Sequence, residues 1–229
     1  MKKPDPLFAV LTADITDSRK IENFPSARDE KLRPLARSHA KRKLIMSEYA
    51  ITAWDEFEGI LTDVGNVPEV VLDLRRYFYP LRLRIGIGLG EVSSPSRTPV
   101  NAFAGGIAFE RARDAIKQLD AERNTRARST LLISEDHEFD TIVNSIYQLH
   151  DTLVDGITSK QWSTINARLG EKGQESTARK LGLNKSLVSR LLRRGHYSEL
   201  VATKHVVGMI ITHFWNVRHH AISRVDRRG

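Results

Sequence analysis

Between Glu175 and Gly195 the chain reads ESTARKLGLNKSLVSRLLRRG, and no other stretch limits its fold so tightly. Apolar residues recur at helical spacing, break at a glycine and then resume. Ser176 is placed to cap a helix whose inward positions include Ala178 and Leu181. Gly182 supplies a tight turn, because a residue without Cβ enters left-handed conformations at no steric cost. Leu183 then packs beneath that turn. Asn184 caps a second helix with Leu187, Val188 and Leu191 on its apolar face. A small Ala178 lets the helices cross closely, and Val188 and Leu191 lock the second against the first. Two short helices joined by a tight turn are expected.

This is the helix-turn-helix pattern, whose second helix lies in the major groove of DNA. The outward residues of that helix are Lys185, Ser186, Ser189, Arg190, Arg193 and Arg194. They combine phosphate-pairing charge with short hydroxyls able to approach base edges, so these six are the DNA-binding candidates. An ordinary helical hairpin with a solvated basic face shares the pattern, but charge favours the sharper reading. Of a net charge of +8, the segment from Gly156 to Gly229 holds 14 basic and 4 acidic residues, and the segment from Met1 to Asp155 holds 22 and 24. A balance of +10 beside one of −2 is the asymmetry of a nucleic-acid-binding part attached to something else. Trp162 and Ile165 begin a supporting helix before the motif. Leu200 to Val217 reads as a long closing helix, with Val206, Val207, Ile210, Ile211, Phe214 and Trp215 as core or as a dimer seam. Double-stranded DNA and a second copy of the chain are the expected partners.

Several classes fall away on composition. There is no cysteine, which excludes disulfides and thiolate metal sites. The start, MKKPDPLFAV, lacks the apolar stretch and small-residue cleavage site of a signal peptide. The apolar run from Val206 to Ile211 is too short to span a bilayer. A soluble, cytoplasmic protein with no membrane partner is expected.

The amino-terminal part alternates strands and helices. Leu7 to Ala13 is a continuous apolar run ending at Asp14, as in a buried strand. Arg28 to Lys43 carries leucines at helical intervals, with Pro34 placed to divide it. Its basic end, from Arg37 to Lys43, reads as a solvated helix terminus. Leu44 to Ala53 and Phe57 to Leu61 read as a hairpin turning at Trp54-Asp55-Glu56, and Val67 to Tyr79 as a helix. Leu81 to Leu89 alternates like a strand. Its Gly86, Gly88 and Gly90 fit close packing of another element on one sheet face better than a phosphate loop. Ala102 to Glu122 reads as a helix and Thr130 to Ser134 as a last strand. The order is β-α-β-β-α-β followed by α-β, that of a ferredoxin-like core with an extension. In such a sheet the first and third strands are neighbours, so Asp14 and Asp55 face one point. A carboxylate pair there can hold Mg²⁺ and, through it, a nucleotide triphosphate; equally, Asp14 ends a strand and Asp55 makes a turn.

The segments LTADITDSRK, ITAWDEFEG, LRLRIGIGLGEV and GGIAFERAR resemble, in that order, the SatD family of bacterial proteins. They are also similar to class III nucleotide cyclases, and WDEFEG resembles the GGDEF hairpin of diguanylate cyclases. These resemblances cover roughly Pro6 to Ser134. They imply a palm fold in which Asp14 and Asp55 are metal ligands, Glu56 takes that role in the GGDEF comparison, and the carbonyl of Ile15 is a further ligand. Arg113 falls where an arginine steadies the triphosphate. The departures matter as much: Trp54 replaces the hairpin glycine, Ile51 a purine-reading lysine and Phe109 a transition-state asparagine.

The expected fold is α+β: a cyclase-like palm over 1–135, a helical linker over 136–160 and a helix-turn-helix domain over 161–229. The expected function is DNA-binding regulation of transcription, with the palm binding a nucleotide and Mg²⁺ and setting the state of the helix-turn-helix. The alternatives are an active cyclase or nucleotidyltransferase tethered to DNA, and a scaffold within a larger complex.

Overall fold

At the centre of the sheet lies β1 (Leu7–Ile15), whose last seven residues are all buried. The structure is a computed structural model that describes residues 7–93, 105–122 and 128–225, the side chains at 215 and from 218 onward excepted. On either side of β1 run β3 (Glu56–Ile60) and β4 (Leu83–Glu91), both antiparallel to it. The short β2 (Ala50–Ile51) pairs antiparallel with β3, and β5 (Thr130–Ile133) runs parallel to β4. The order is therefore β2-β3-β1-β4-β5, a mixed five-stranded sheet in an α+β chain.

The described residues also form eight α-helices: α1 (Phe24–Lys41), α2 (Val67–Phe78), α3 (Ile107–Ala121), α4 (His137–Asp155), α5 (Ser159–Leu169), α6 (Gln174–Leu181), α7 (Lys185–Arg194) and α8 (Tyr197–Val225). One sheet face belongs to α3. It presses so closely on β4 that a Cβ built on Gly86 would stand 2.2 Å from the Ala112 carbonyl oxygen. On Gly88 it would stand 1.9 Å from that of Ala108. The alternating glycines thus admit a helix backbone. On the other face Ala9, Leu11, Ala13, Ile85 and Ile87 share a core with Phe24 and Leu35 of α1, Val70 and Leu74 of α2, Val143 of α4, and Val207 and Ile211 of α8. A second core joins Leu72 of α2 to Trp162, Ile165, Ala178, Val188, Leu192 and Leu200.

Three expectations change. Pro34 does not divide its helix: α1 runs through it, with Leu32 and Leu35 buried on either side. The carbonyl that Pro34 leaves without a helical donor belongs to Glu30, which is exposed. The strand expected over Leu44 to Ala53 shrinks to β2 and one bridge from Ile45 to Leu61. Tyr49 turns inward instead, packing edge-on to Phe57 and lying over Gly59. Finally, α3 starts at Ile107, because Gly106 has φ 124° with its backbone against Glu91 and Ser93; Ala102 to Ala104 lie outside the described residues.

Candidate functional site

Two places collect the residues singled out above. The first is the surface of α7. Before it, α6 ends at Gly182, whose φ of 63° makes the left-handed turn. The Leu183 amide donates back to the Ala178 carbonyl at 2.9 Å. Asn184 caps α7, its side-chain oxygen accepting from the Leu187 amide at 2.7 Å. Ser176 is not the cap of α6. That position is Gly173, and Ser176 stands a turn later, where its hydroxyl accepts from the Gly173 amide. Ala178, Val188 and Leu192 are buried against Trp162 and Ile165 of α5, while Leu187 and Leu191 are only half-buried. The inward face is thus rotated toward Leu192, a residue the spacing alone passed over.

At about 100° per residue, Lys185, Ser189, Arg193, Ser186, Arg190 and Arg194 fill one half of α7 and its leucines and Val188 the other. All six are exposed. Lys185 pairs with Glu175 of α6 at 2.7 Å. Arg190, Arg193 and Arg194 have no ion-pair or hydrogen-bond partner among the described residues, and nor does Arg179 on α6. The result is a cationic surface on a rigid, capped helix.

The second place is the end of the sheet where β1 meets the hairpin between β2 and β3. Asp14 is cross-strand partner to Glu56 on one side and to Arg84 on the other. Only 7% exposed, it accepts from Arg84 Nε at 2.7 Å; Arg84 reaches on to Asp120 at the far end of α3. Burial pushes the Asp14 carboxyl above its ordinary value, Arg84 pulls it down, and the charges of Asp55 and Glu56 push it up again; the net direction is upward. Ile15 donates its amide to the Asp55 carbonyl at 3.0 Å, leaving its own carbonyl as the candidate ligand. The Asp55 carboxylate accepts from Ser18 Oγ, and Glu56 from the Thr52 hydroxyl at 2.6 Å. Arg113 makes a two-pronged bond, at 2.8 and 2.9 Å, to Glu58, which is 1% exposed and also accepts from Thr12. Among the described residues no three acidic or histidine side chains already surround a common point as metal ligands.

Sequence reasoning missed Thr12, Glu58 and Arg84. All three lie on the α3 face of their strands, Thr12 opposite Glu58 and Arg84 opposite Asp14, and only pairing reveals that. It also missed the surroundings of Asp55. A cleft of about 810 Å³ beside it is lined by Ser18, Arg19, Asn23, Phe24 and Trp54, among others. The expected solvated end of α1 proves to be partly interior: His39 is fully buried between Tyr49 and Asp73, and Arg42 binds Asp73 and Glu69.

No helix among the described residues is long and apolar enough to cross a membrane. Compared with known proteins, the chain matches the model of the SatD family over residues 8–206. No curated protein matches it.

Proposed function

The chain belongs to the SatD family, and from that premise we propose that it is a DNA-binding regulatory protein. In this reading α6 and α7 are a helix-turn-helix, α7 enters the major groove, and a ferredoxin-like palm sets its state. One observation carries the reading: the six outward residues occupy one half of α7, all are exposed, and three arginines stand without a partner among the described residues. A buried structural element spends such guanidinium groups on carboxylates, as Arg75 of α2 and Arg84 of β4 do here. The sheet order supports the palm, since β2-β3-β1-β4 is the arrangement of that fold and β5 extends it.

The test uses the whole chain, because α5 to α8 share their cores with α2 and the sheet. Titrated against labelled duplex DNA, the wild-type chain should lose affinity steeply with salt, as phosphate contacts release counterions. Arg190→Ala with Arg193→Ala should cost at least tenfold, base-reading contacts being worth about 1–3 kcal/mol each. Equal affinity of the double variant, or indifference to salt, would refute the reading. Such modules commonly engage paired half-sites, so light scattering of the complex should give the mass of two chains. Their seam lies away from Val207 and Ile211, which are buried in the chain's own core.

A second reading concerns the strand end. Asp14 holds its proton more firmly than usual although Arg84 touches it, because burial and two nearby carboxylates outweigh one guanidinium. Asp14, Asp55 and Glu56 bring three carboxylates to that end of the sheet, and hard carboxylate oxygens are the ligands Mg²⁺ prefers. We propose Asp14, Asp55, Glu56 and the Ile15 carbonyl as its ligands, with a nucleotide triphosphate bound through it and Arg113 beside the phosphates. Mg²⁺ with ATP or GTP should raise the unfolding temperature of the wild-type chain, and Asp14→Asn should abolish the gain. An unchanged unfolding temperature at millimolar Mg²⁺ counts against this reading. Cyclic or linked products at about one per second or faster would favour an active cyclase instead.

A further inference from the structure

The cleft beside the hairpin has a composition that neither the metal ligands nor the DNA-binding face explains. Its wall is the ring of Trp54, 57% exposed, although a tryptophan normally has the most to gain from burial. The ring is nevertheless held. Phe24, itself buried, backs it at 5.7 Å between centroids with the planes 30° apart. Arg28 Nη1 donates to the Trp54 carbonyl at 2.8 Å, fixing the hairpin backbone. Opposite stands the loop after β1, in which Asp17 and Asn23 both adopt left-handed backbone, with φ of 55° and 49°. Between them Ser18 orients the Asp55 carboxylate by a hydrogen bond, and Arg19 is exposed. The cleft therefore offers a fixed aromatic plane, a guanidinium and an oriented carboxylate around about 810 Å³, a volume within the usual range for small-molecule sites.

We infer that this cleft binds a nucleoside phosphate, with the base stacked on Trp54, its N–H groups donating to Asp55 and its phosphates paired with Arg19. The inference takes its ligand class from the nucleotide reading of the strand end and stands as an alternative to its metal: here Asp55 faces the base, and Arg19 in place of Arg113 faces the phosphates. Stacking on an aromatic ring tolerates any base, since every base has a π-face. Such a site therefore needs no purine-reading lysine, which agrees with Ile51 standing where cyclases place one. It also gives Trp54 a purpose in the position of the hairpin glycine.

The experiment is calorimetric titration of the full chain with ATP, GTP and adenosine, in EDTA and again in Mg²⁺. ATP and GTP should bind in both media. Trp54→Ala should weaken both by tenfold or more, and Trp54→Phe, which keeps a ring, should stay within a few-fold of wild type. Arg19→Ala should weaken ATP while leaving adenosine unchanged. Failure of all three ligands in both media overturns the inference, as does equal ATP affinity in wild type and Trp54→Ala. Binding that requires Mg²⁺ and is lost in Asp14→Asn but not in Trp54→Ala also overturns it, while leaving the metal reading in place. Persistence in EDTA and in Asp14→Asn, with loss in Trp54→Ala, supports the cleft and removes the metal.

Discussion

Asp14 and Asp73 show how far one residue type can be driven in opposite directions within one chain. Asp14 is pushed up by burial and neighbouring carboxylates against a single arginine. Asp73 is just as buried, and burial again pushes it up, but the His39 ring, Arg76 and Arg42 outweigh that and hold it at about 2 against an ordinary 3.8. A depressed carboxyl stabilises the fold above its unfolded value, and that contribution disappears as pH falls toward the folded one. Asp73 should therefore contribute about 2 kcal/mol above pH 5, lost between about pH 4 and pH 2. Asp14 has the reverse sign, its share declining as pH rises through the carboxylate range. Urea unfolding of wild type and Asp73→Asn should show a stability gap that is widest near neutrality and narrows below pH 4; a gap independent of pH would contradict the assignment. The environment of Asp73 was not legible beforehand. His39 and Arg42 sit in a basic run that reads as solvated, and their partner Asp73 comes from a helix some thirty residues on, so only tertiary contact makes them a buried network.

Elements were legible where a single period ran long enough to dominate. Apolar continuity marks β1, alternation marks β4, and the spacing of Ala178, Gly182 and Val188 marks α6 and α7, all present where expected. What failed was local and competitive. β2 lost most of its length because burying Tyr49 was worth more than extending the ladder, and α1 ignored Pro34 because two flanking leucines anchor it. The seat of α3 on β4 yields the sharpest test at this scale. At Gly88 an added methyl meets helix backbone at 1.9 Å, not the yielding end of a side chain. Either the helix lifts or the strand bends, so overpacking of the order of 3 kcal/mol or more is expected for Gly88→Ala. At Gly182 nothing lies within 4 Å of a Cβ, and only the left-handed backbone resists, so Gly182→Ala should cost about 1 kcal/mol. Chemical denaturation of the two variants should rank them in that order.

For the molecule as a whole, the charge division of the chain was visible from composition, but the joining of its parts was not. Lys204 of α8 pairs with Glu69 of α2; Glu69 also binds Arg42 just past α1, Arg42 binds Asp73, Asp73 binds Arg76, and Arg76 reaches Asn166 of α5 at 3.5 Å. Sequence spacing cannot announce such a chain, because every link but the Asp73–Arg76 pair within α2 joins different elements. Apolar contacts follow the same course: Leu200 of α8 belongs to the core under α7, while Val207 and Ile211 belong to the core under the sheet. Mechanically, α8 is then seated in both cores, at Leu200 near its start and at Ile211 near its middle. Leu200 and Ile211 are eleven residues apart, about 16 Å along a helix. A tilt of about 10° pivoting on Ile211 would swing the other end by roughly 3 Å. A displacement of that size is about one hydrogen-bond length, and on the DNA-binding proposal it separates a guanidinium that reaches a base edge from one that falls short.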